Sequence, residues 1–458
     1  MRLALSGLML AMLLGALDQT IMAPALPAVA ATLGGLEQMP AVVTAYLVAA
    51  TVTMPVYGKL GDRYGRKLPM QAAIVIFVVG AVLCALATSM PQFVAFRALQ
   101  GVGGGGLMIG AQAIIGEIVS PRERGRYLGF IGAVYIVAAV GGPVLGGVFI
   151  DGIGWRWIFA IYPPLGVVAL AVLTRTLRLP RRTPETRFDV PGALALGSIV
   201  IGAVLFGQTR HPGWLALAGA GTVVWLITAR RARDPILPLR LFRDRAFAVP
   251  VAVSFLIGFA LFGTITYMPA YLQIALGSTA TRAGLLVTAL MGGVLVTTIT
   301  SGRLITRTGR YRPYPIVGTG VAALGLGLLS VARGAAAITA VMVLIGLGVG
   351  LVMQVMVLAA QNSVARDDLG AATSAVTFLR QIGASTGVAV IGAMIALRLP
   401  AGSMTTAKDL TPAARAAFGE AAPPVFALMA PLLVVAFCLA LLLPARSLRT
   451  TAYAQEHA

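Results

Sequence analysis

The chain has 458 residues, 58% apolar and 11% charged, with a mean hydropathy of +0.91. A soluble globular domain carries about 25% charged residues, so this composition excludes one and calls for a membrane protein. The formal net charge of +20 does not point to a nucleic-acid partner, because Lys and Arg fall in short loops between apolar runs and form no basic face or tail.

The first segment, Arg2 followed by an apolar run to Leu17, has the form of a signal peptide, with Ala23-Pro24-Ala25 as its nominal cleavage site. The run continues past Asp18 to Leu26, long enough to span, and is read as a retained helix. About 20 apolar residues are needed to cross the bilayer core. On that criterion fourteen segments are predicted to span. The first half supplies 5–26, 40–57, 68–87, 92–115, 127–150 and 157–173. Two short segments follow, 192–207 and 214–229. The rest are 247–275, 283–300, 314–331, 336–361, 371–397 and 424–443. Cys84 and Cys438 fall inside spans and read as free thiols, and no metal site is expected. The stretch 399–423 reads as a mobile or partly helical excursion between the last two spans.

The loop after the second span, Gly58-Lys-Leu-Gly-Asp-Arg-Tyr-Gly-Arg-Lys-Leu-Pro69, returns as Gly302-Arg-Leu-Ile-Thr-Arg-Thr-Gly-Arg-Tyr-Arg-Pro313, identical at six of twelve positions. Similar halves imply a duplicated fold. Eight spans lie between the copies, where a plain duplication of six would leave six. The two short spans are therefore an insert, which predicts an N-terminal six-helix bundle over 1–180, a linker with two extra helices over 181–245, and a C-terminal six-helix bundle with a short tail over 246–458. Lys and Arg concentrate on the even-numbered loops and the two ends, which places both termini in the cytoplasm.

Few residues in the spans carry chemistry. Asp18 lies about 20 Å into the first helix, at 1.5 Å per residue, where an acid meets a cavity or a partner and can exchange a proton. Arg97 enters the fourth helix from the other side, roughly 8 Å down, at nearly the same depth. Electrostatic coupling to Asp18 competes with simple snorkelling to the interface. Gly101, Gly104 and Met108 share the face of Arg97, whereas Glu117 points away. The run Gly101-Val-Gly-Gly-Gly-Gly106 formally fits a dinucleotide fingerprint but lies in a span with no preceding strand, and reads as helix packing. In the basic loop, Gly58 and Gly65 permit close approach or a turn. Asp62, beside Arg63 and Arg66, is placed to latch neighbouring helix ends, with Glu117 as a partner for Arg66; incidental surface pairing is the alternative. Thr306 replaces Asp62 in the second copy, so the latch is expected on one side only. Met22, Met108, Tyr267, Tyr271, Phe378 and Arg380 are candidate cavity residues, although Met and aromatic stripes also pack plainly and Arg380 could clamp backbone carbonyls.

With these residues the chain resembles the major facilitator superfamily, and within it the fourteen-span drug/proton antiporter branch. The loop Gly58 to Lys67 matches the superfamily's signature, and Leu17 to Pro27 resembles the helix-1 motif of the drug/proton branch. The run Gly132 to Gly147, with Gly142, Pro143 and Gly146, resembles the helix-5 motif of antiporters, and Trp155 to Phe159 and Phe188-Asp189 resemble the fourteen-span members. The resemblance implies an all-α major facilitator fold of fourteen transmembrane helices, and a charged cluster that locks the outward-facing state.

The function expected is proton-coupled antiport that exports hydrophobic or cationic small molecules, as in multidrug efflux and antibiotic resistance. The expected partners are such substrates, protons and membrane lipids, in a monomer of the bacterial cytoplasmic membrane. No cofactor is expected, the proton gradient being the energy source, because no nucleotide-binding motif is present. A lipid or fatty-acid exporter of the same fold is the nearest alternative. A membrane receptor or scaffold without transport is the alternative of another class. An enzyme is not expected, since the only histidines, His211 and His457, lie in a loop and the tail.

Overall fold

The computed structural model describes residues 2–34, 38–177, 179, 188–209, 211–274, 277, 280–332, 334–398 and 412–450. Helices make up nearly all of this, with no strand among the described residues. In chain order they are α1 (Arg2–Leu33), α2 (Met39–Tyr64), α3 (Lys67–Leu86), α4 (Met90–Ile118), α5 (Pro121–Gly152) and α6 (Arg156–Thr176). Next come α7 (Val190–Thr209), α8 (Pro212–Arg231), α9 (Arg245–Ile274), α10 (Ala280–Thr308), α11 (Pro313–Leu329), α12 (Gly334–Asn362) and α13 (Leu369–Leu397). The last, α14, consists of Pro412–Leu428 and Ala430–Leu441. Among the described residues thirteen helices are long and apolar enough to cross a membrane; α11, also apolar, has 17 residues. The chain is an integral membrane protein.

Most helices outrun their predicted spans, because hydropathy marks the hydrocarbon core whereas backbone hydrogen bonding continues beyond it. Thus α1 extends to Leu33 through Pro24 and Pro27, and α10 to Thr308. Of the predicted excursion 399–423, residues 399–411 lie outside the described residues. The part from Pro412 is helical, as its alanine-rich sequence favours. Helix starts are marked chemically. Ser120 accepts the amide of Glu123 at 3.4 Å before α5, and Asp244 accepts that of Ala246 at 2.9 Å before α9. Gly65 and Gly309 occupy the same place in the two copies of the basic loop and have φ of 84° and 69°, a region open to glycine at no steric cost.

The packing pattern recurs along the chain. α1 packs on α5 and α6, and α4 on α2 and α3. Later, α9 packs on α13, α12 on α10 and α11, and α11 on α14. The most extensive contacts joining these sets are α2 with α13 and α5 with α10, while α7 and α8 pair with each other and α7 also touches α2 and α13. The glycines of α4 alternate between two neighbours. A Cβ on Gly101 or Gly105 would run into the backbone of α2 at Tyr46 or Ala50, and one on Gly103 into α3 at Phe77. That run is helix packing, as its place inside a span requires. Between α9 and α13 the same device appears with a π-turn: Gly258–Phe262 faces Gly383 and Gly387, whose Cβ positions coincide with the carbonyls of Phe255 and Phe259.

Candidate functional site

Three arrangements make up the site. The first is a buried ion pair. Asp18 on α1 is 0% exposed and Arg97 on α4 is 2% exposed. Arg97 Nη1 donates to Asp18 Oδ1 at 2.8 Å and Oδ2 at 2.9 Å, and to Gln100 Oε1 at 2.7 Å. Gln100 Nε2 in turn donates to Asp18 Oδ1 at 3.1 Å. The Arg97 guanidinium lies over the ring of Tyr46 at 4.4 Å, and Gly104, about two turns along the same face, leaves room for the tyrosine hydroxyl. Two full charges are thus held away from water by each other, a neutral amide and a π-face. Removing one partner from such a pair leaves an uncompensated charge at a cost of about 3–5 kcal/mol.

The second arrangement closes the end of the bundle that carries the basic loops. Asp62 accepts the backbone amides of Gly370 and Ala371, each at 2.8 Å, so it caps the start of α13 where the helix dipole is positive. Arg66 joins Asp62 at 2.5 Å to Glu117 at 2.7 Å, and Glu117 also accepts from Arg366 Nε at 3.0 Å. Gly58 lets the helices meet here: its Cβ would fall 2.6 Å from the carbonyl of Gly370. Arg63 does not join the cluster. It reaches Asp234, after α8, at 3.9 Å, and Lys59 pairs with the same carboxylate. Asp189 accepts from Gly192 N at 2.9 Å and Ile236 N at 3.3 Å, tying the start of α7 to that connection. At the second copy of the loop, Thr306 bonds only its own helix through its hydroxyl, at Gly302 O, while Arg122 donates to the carbonyls of Thr306 and Arg307 at 3.3 Å. There Gly125 and Gly302 face each other.

The third is a cavity of about 510 Å³ beside the pair, walled by α1, α2, α7, α9 and α13. Its polar groups include Gln19, Thr51, Gln208, Thr266, Tyr267 and Gln381, and its lining carries no charge. Asp18 stands one residue behind Gln19. Of the six candidate cavity residues, Tyr267 lines this space. Met22 is buried, Met108 accepts the hydroxyl of Tyr135 at 2.8 Å, and Tyr271 packs edge-on against Phe426 at 5.9 Å. Phe378 sits in an apolar cluster with Leu196 and Val200 of α7, and Arg380 is buried beside the wall residue Gln381. In α5, a Cβ on Gly142 would meet Thr20 and one on Gly146 would lie 2.9 Å from Ile21 O, so both seat α1; Gly132 faces Thr298 of α10. Pro143 lies between the two seats in α5.

Gln100, Tyr46, Arg366, Lys59 and Asp234 were not singled out in the sequence. Gln100 was within reach, being three residues from Arg97 on one face. Arg366 carried no local signal, since its partner Glu117 is 249 residues away in the chain.

An all-helical bundle joined through α2–α13 and α5–α10, with an acid bridge at the closed end and a neutral cavity between its parts, is the architecture of a membrane carrier. The sequence matches the family model of the Major Facilitator Superfamily over residues 8–388, and the chain belongs to that superfamily. It is 38% identical over 404 residues to an uncharacterized MFS-type transporter of Mycobacterium tuberculosis, covering 85% of this chain and 58% of that protein's length. It is 35% identical over 419 residues to the multidrug transporter protein MdtP of Bacillus subtilis, covering 89% of this chain and 77% of the other. Among solved structures, the human organic anion transporter MFSD10 superposes with a TM-score of 0.71 at 16% identity, covering 96% of this chain and 99% of that one. The proton:xylose symporter XylE does so with 0.69 at 15% identity, covering 100% and 98%. These likenesses are of fold.

Proposed function

We propose that the chain is a proton-coupled antiporter that exports hydrophobic small molecules by alternating access, with two six-helix halves, 1–180 and 246–458, rocking about the interior cavity and the basic end and both termini in the cytoplasm. The observation that carries the reading is the Asp18–Arg97 pair, a titratable acid fixed in the membrane interior one residue behind the cavity wall. Similarity to a multidrug transporter supports the cargo class. The uncharged lining favours neutral amphiphiles over cations in the state seen here, because no carboxylate in it can face a positive charge. It equally suits a lipid or fatty-acid cargo, the second reading.

The cycle follows from the chemistry. A proton taken up by Asp18 cancels its charge and frees Arg97 from it, leaving the guanidinium only Gln100 and the π-face of Tyr46. Loss of that proton restores the pair. Movement of α1 against α4 is thereby coupled to protonation, and substrate in the adjoining cavity competes for the same local rearrangement. The test is transport by the purified chain in proteoliposomes under an imposed pH gradient, with fluorescent amphiphiles in one arm and labelled lipids in the other. Gradient-driven accumulation of the amphiphiles supports the first reading, that of lipids alone supports the second, and movement of neither overturns both.

A further inference from the structure

The outward face of α11 and α14 belongs to neither the ion pair nor the cavity. At its basic end lies a pocket of about 840 Å³ between the second basic loop and the segment after α14. Arg122, Arg310, Arg312 and Arg446 line it, and Ile316 forms part of its wall. Arg446 is bonded to Asp244 at 2.9 and 3.1 Å; among the described residues no acid pairs with the other three. Arg122 and Arg312 instead donate to main-chain carbonyls, the latter to Leu441 O at 2.9 Å. Tyr311 holds the pocket's shape by donating its hydroxyl to Pro444 O at 2.9 Å. The N-terminus of α11 points into the same space, adding partial positive charge.

Directly along the helix from this pocket runs an apolar groove of about 530 Å³ between Gly320, Leu324 and Gly327 of α11 and Val434 and Phe437 of α14. Ile316, Gly320, Ala323 and Gly327 recur at three- and four-residue spacing, so one stripe of α11 runs from the arginine pocket through the groove. From Ile316 to Gly327 is about 16 Å at 1.5 Å per residue. That matches half of a hydrocarbon core roughly 30 Å thick, the depth of one leaflet.

We propose that this seam is a binding site for an anionic phospholipid of the leaflet at the basic end, with the phosphodiester among Arg122, Arg310 and Arg312 and one acyl chain along Gly320 and Gly327. Charge complementarity selects this occupant over a second copy of the chain, which would bring the same arginines to the seam. Neutral phospholipids lack the net charge that the pocket answers.

The test uses the purified full chain in neutral detergent, with retained lipid counted by native mass spectrometry and the thermal midpoint followed on adding phosphatidylglycerol, phosphatidylcholine or inorganic phosphate. Phosphatidylglycerol should be retained in preference to phosphatidylcholine and should raise the midpoint. Arg310→Gln with Arg312→Gln should weaken retention roughly thirtyfold, from the attraction each arginine exerts on an anionic headgroup. Gly327→Leu provides a second variant that keeps the fold, since a Cβ there meets nothing within 4 Å, and its side chain should displace the acyl chain. Equal retention of the two lipids, or unchanged phosphatidylglycerol retention in both variants, would overturn the site. So would a midpoint rise with phosphate alone equal to that with the lipid, or a dimer that Gly327→Leu converts to monomer.

Discussion

Asp62 caps α13 from far away in the chain, its Oδ1 accepting the amide of Gly370, 308 residues later, at 2.8 Å. Because the same carboxylate holds Arg66, and Arg66 holds Glu117, one acid ties α2, α4 and α13 into a closed end.

Neutralising Asp62 tests that closure. Asp62→Asn weakens charge-assisted hydrogen bonds worth roughly 1.5–3 kcal/mol each, and 1.4 kcal/mol is a tenfold change in an equilibrium. The closed population should fall at least about tenfold and turnover with it, while the protein still folds. Spin-label distances between Tyr64 and Asp367 should lengthen. Thr306→Ala, at the equivalent place in the second copy, should leave both nearly unchanged, because its hydroxyl serves only its own helix. Equal effects of the two substitutions would contradict the asymmetry.

The glycines of α5 offer an internal control. Gly142→Ala drives a methyl into Thr20 of α1, whereas Gly141→Ala meets nothing within 4 Å. Overpacking costs about 1–3 kcal/mol, so Gly142→Ala should lower the thermal midpoint and transport together, while Gly141→Ala leaves both close to wild type. Thermal unfolding in detergent measures the difference.

Asp234 anchors the connection after α8 to Lys59 and Arg63 in the last turns of α2. Asp234→Asn should leave the nearly buried Lys59 without its counter-charge and loosen that connection. Faster proteolysis after Arg231 or Arg233, with α2 otherwise intact, is the expected sign. A cleavage pattern identical to wild type would mean the contact is incidental.

Much of this was legible in the sequence because membrane burial exaggerates the signals. Asp18 and Arg97 stood out as lone charges in hydrocarbon, and the depth arithmetic that paired them needed only the rise of a helix. The six cavity candidates were harder, since Met22, Met108 and Phe378 differ from wall residues only in which way they face across several helices. Gln19, Thr51 and Gln381, which do line the cavity, look in the sequence like ordinary polar residues tolerated in a span. Arg366 and Asp234 acquire their meaning from contacts that long-range folding makes and local pattern does not announce.

The central claim is that Asp18 carries the coupling proton, and Asp18→Asn imitates its protonated form permanently. The most direct measurement is uphill efflux in proteoliposomes as a function of external and internal pH, wild type against Asp18→Asn, with downhill exchange measured in the same preparation to show that the variant is folded. The account predicts that the variant loses gradient-driven, pH-dependent efflux and retains downhill exchange that no longer responds to pH. Uphill efflux in Asp18→Asn with the wild-type pH profile would contradict it.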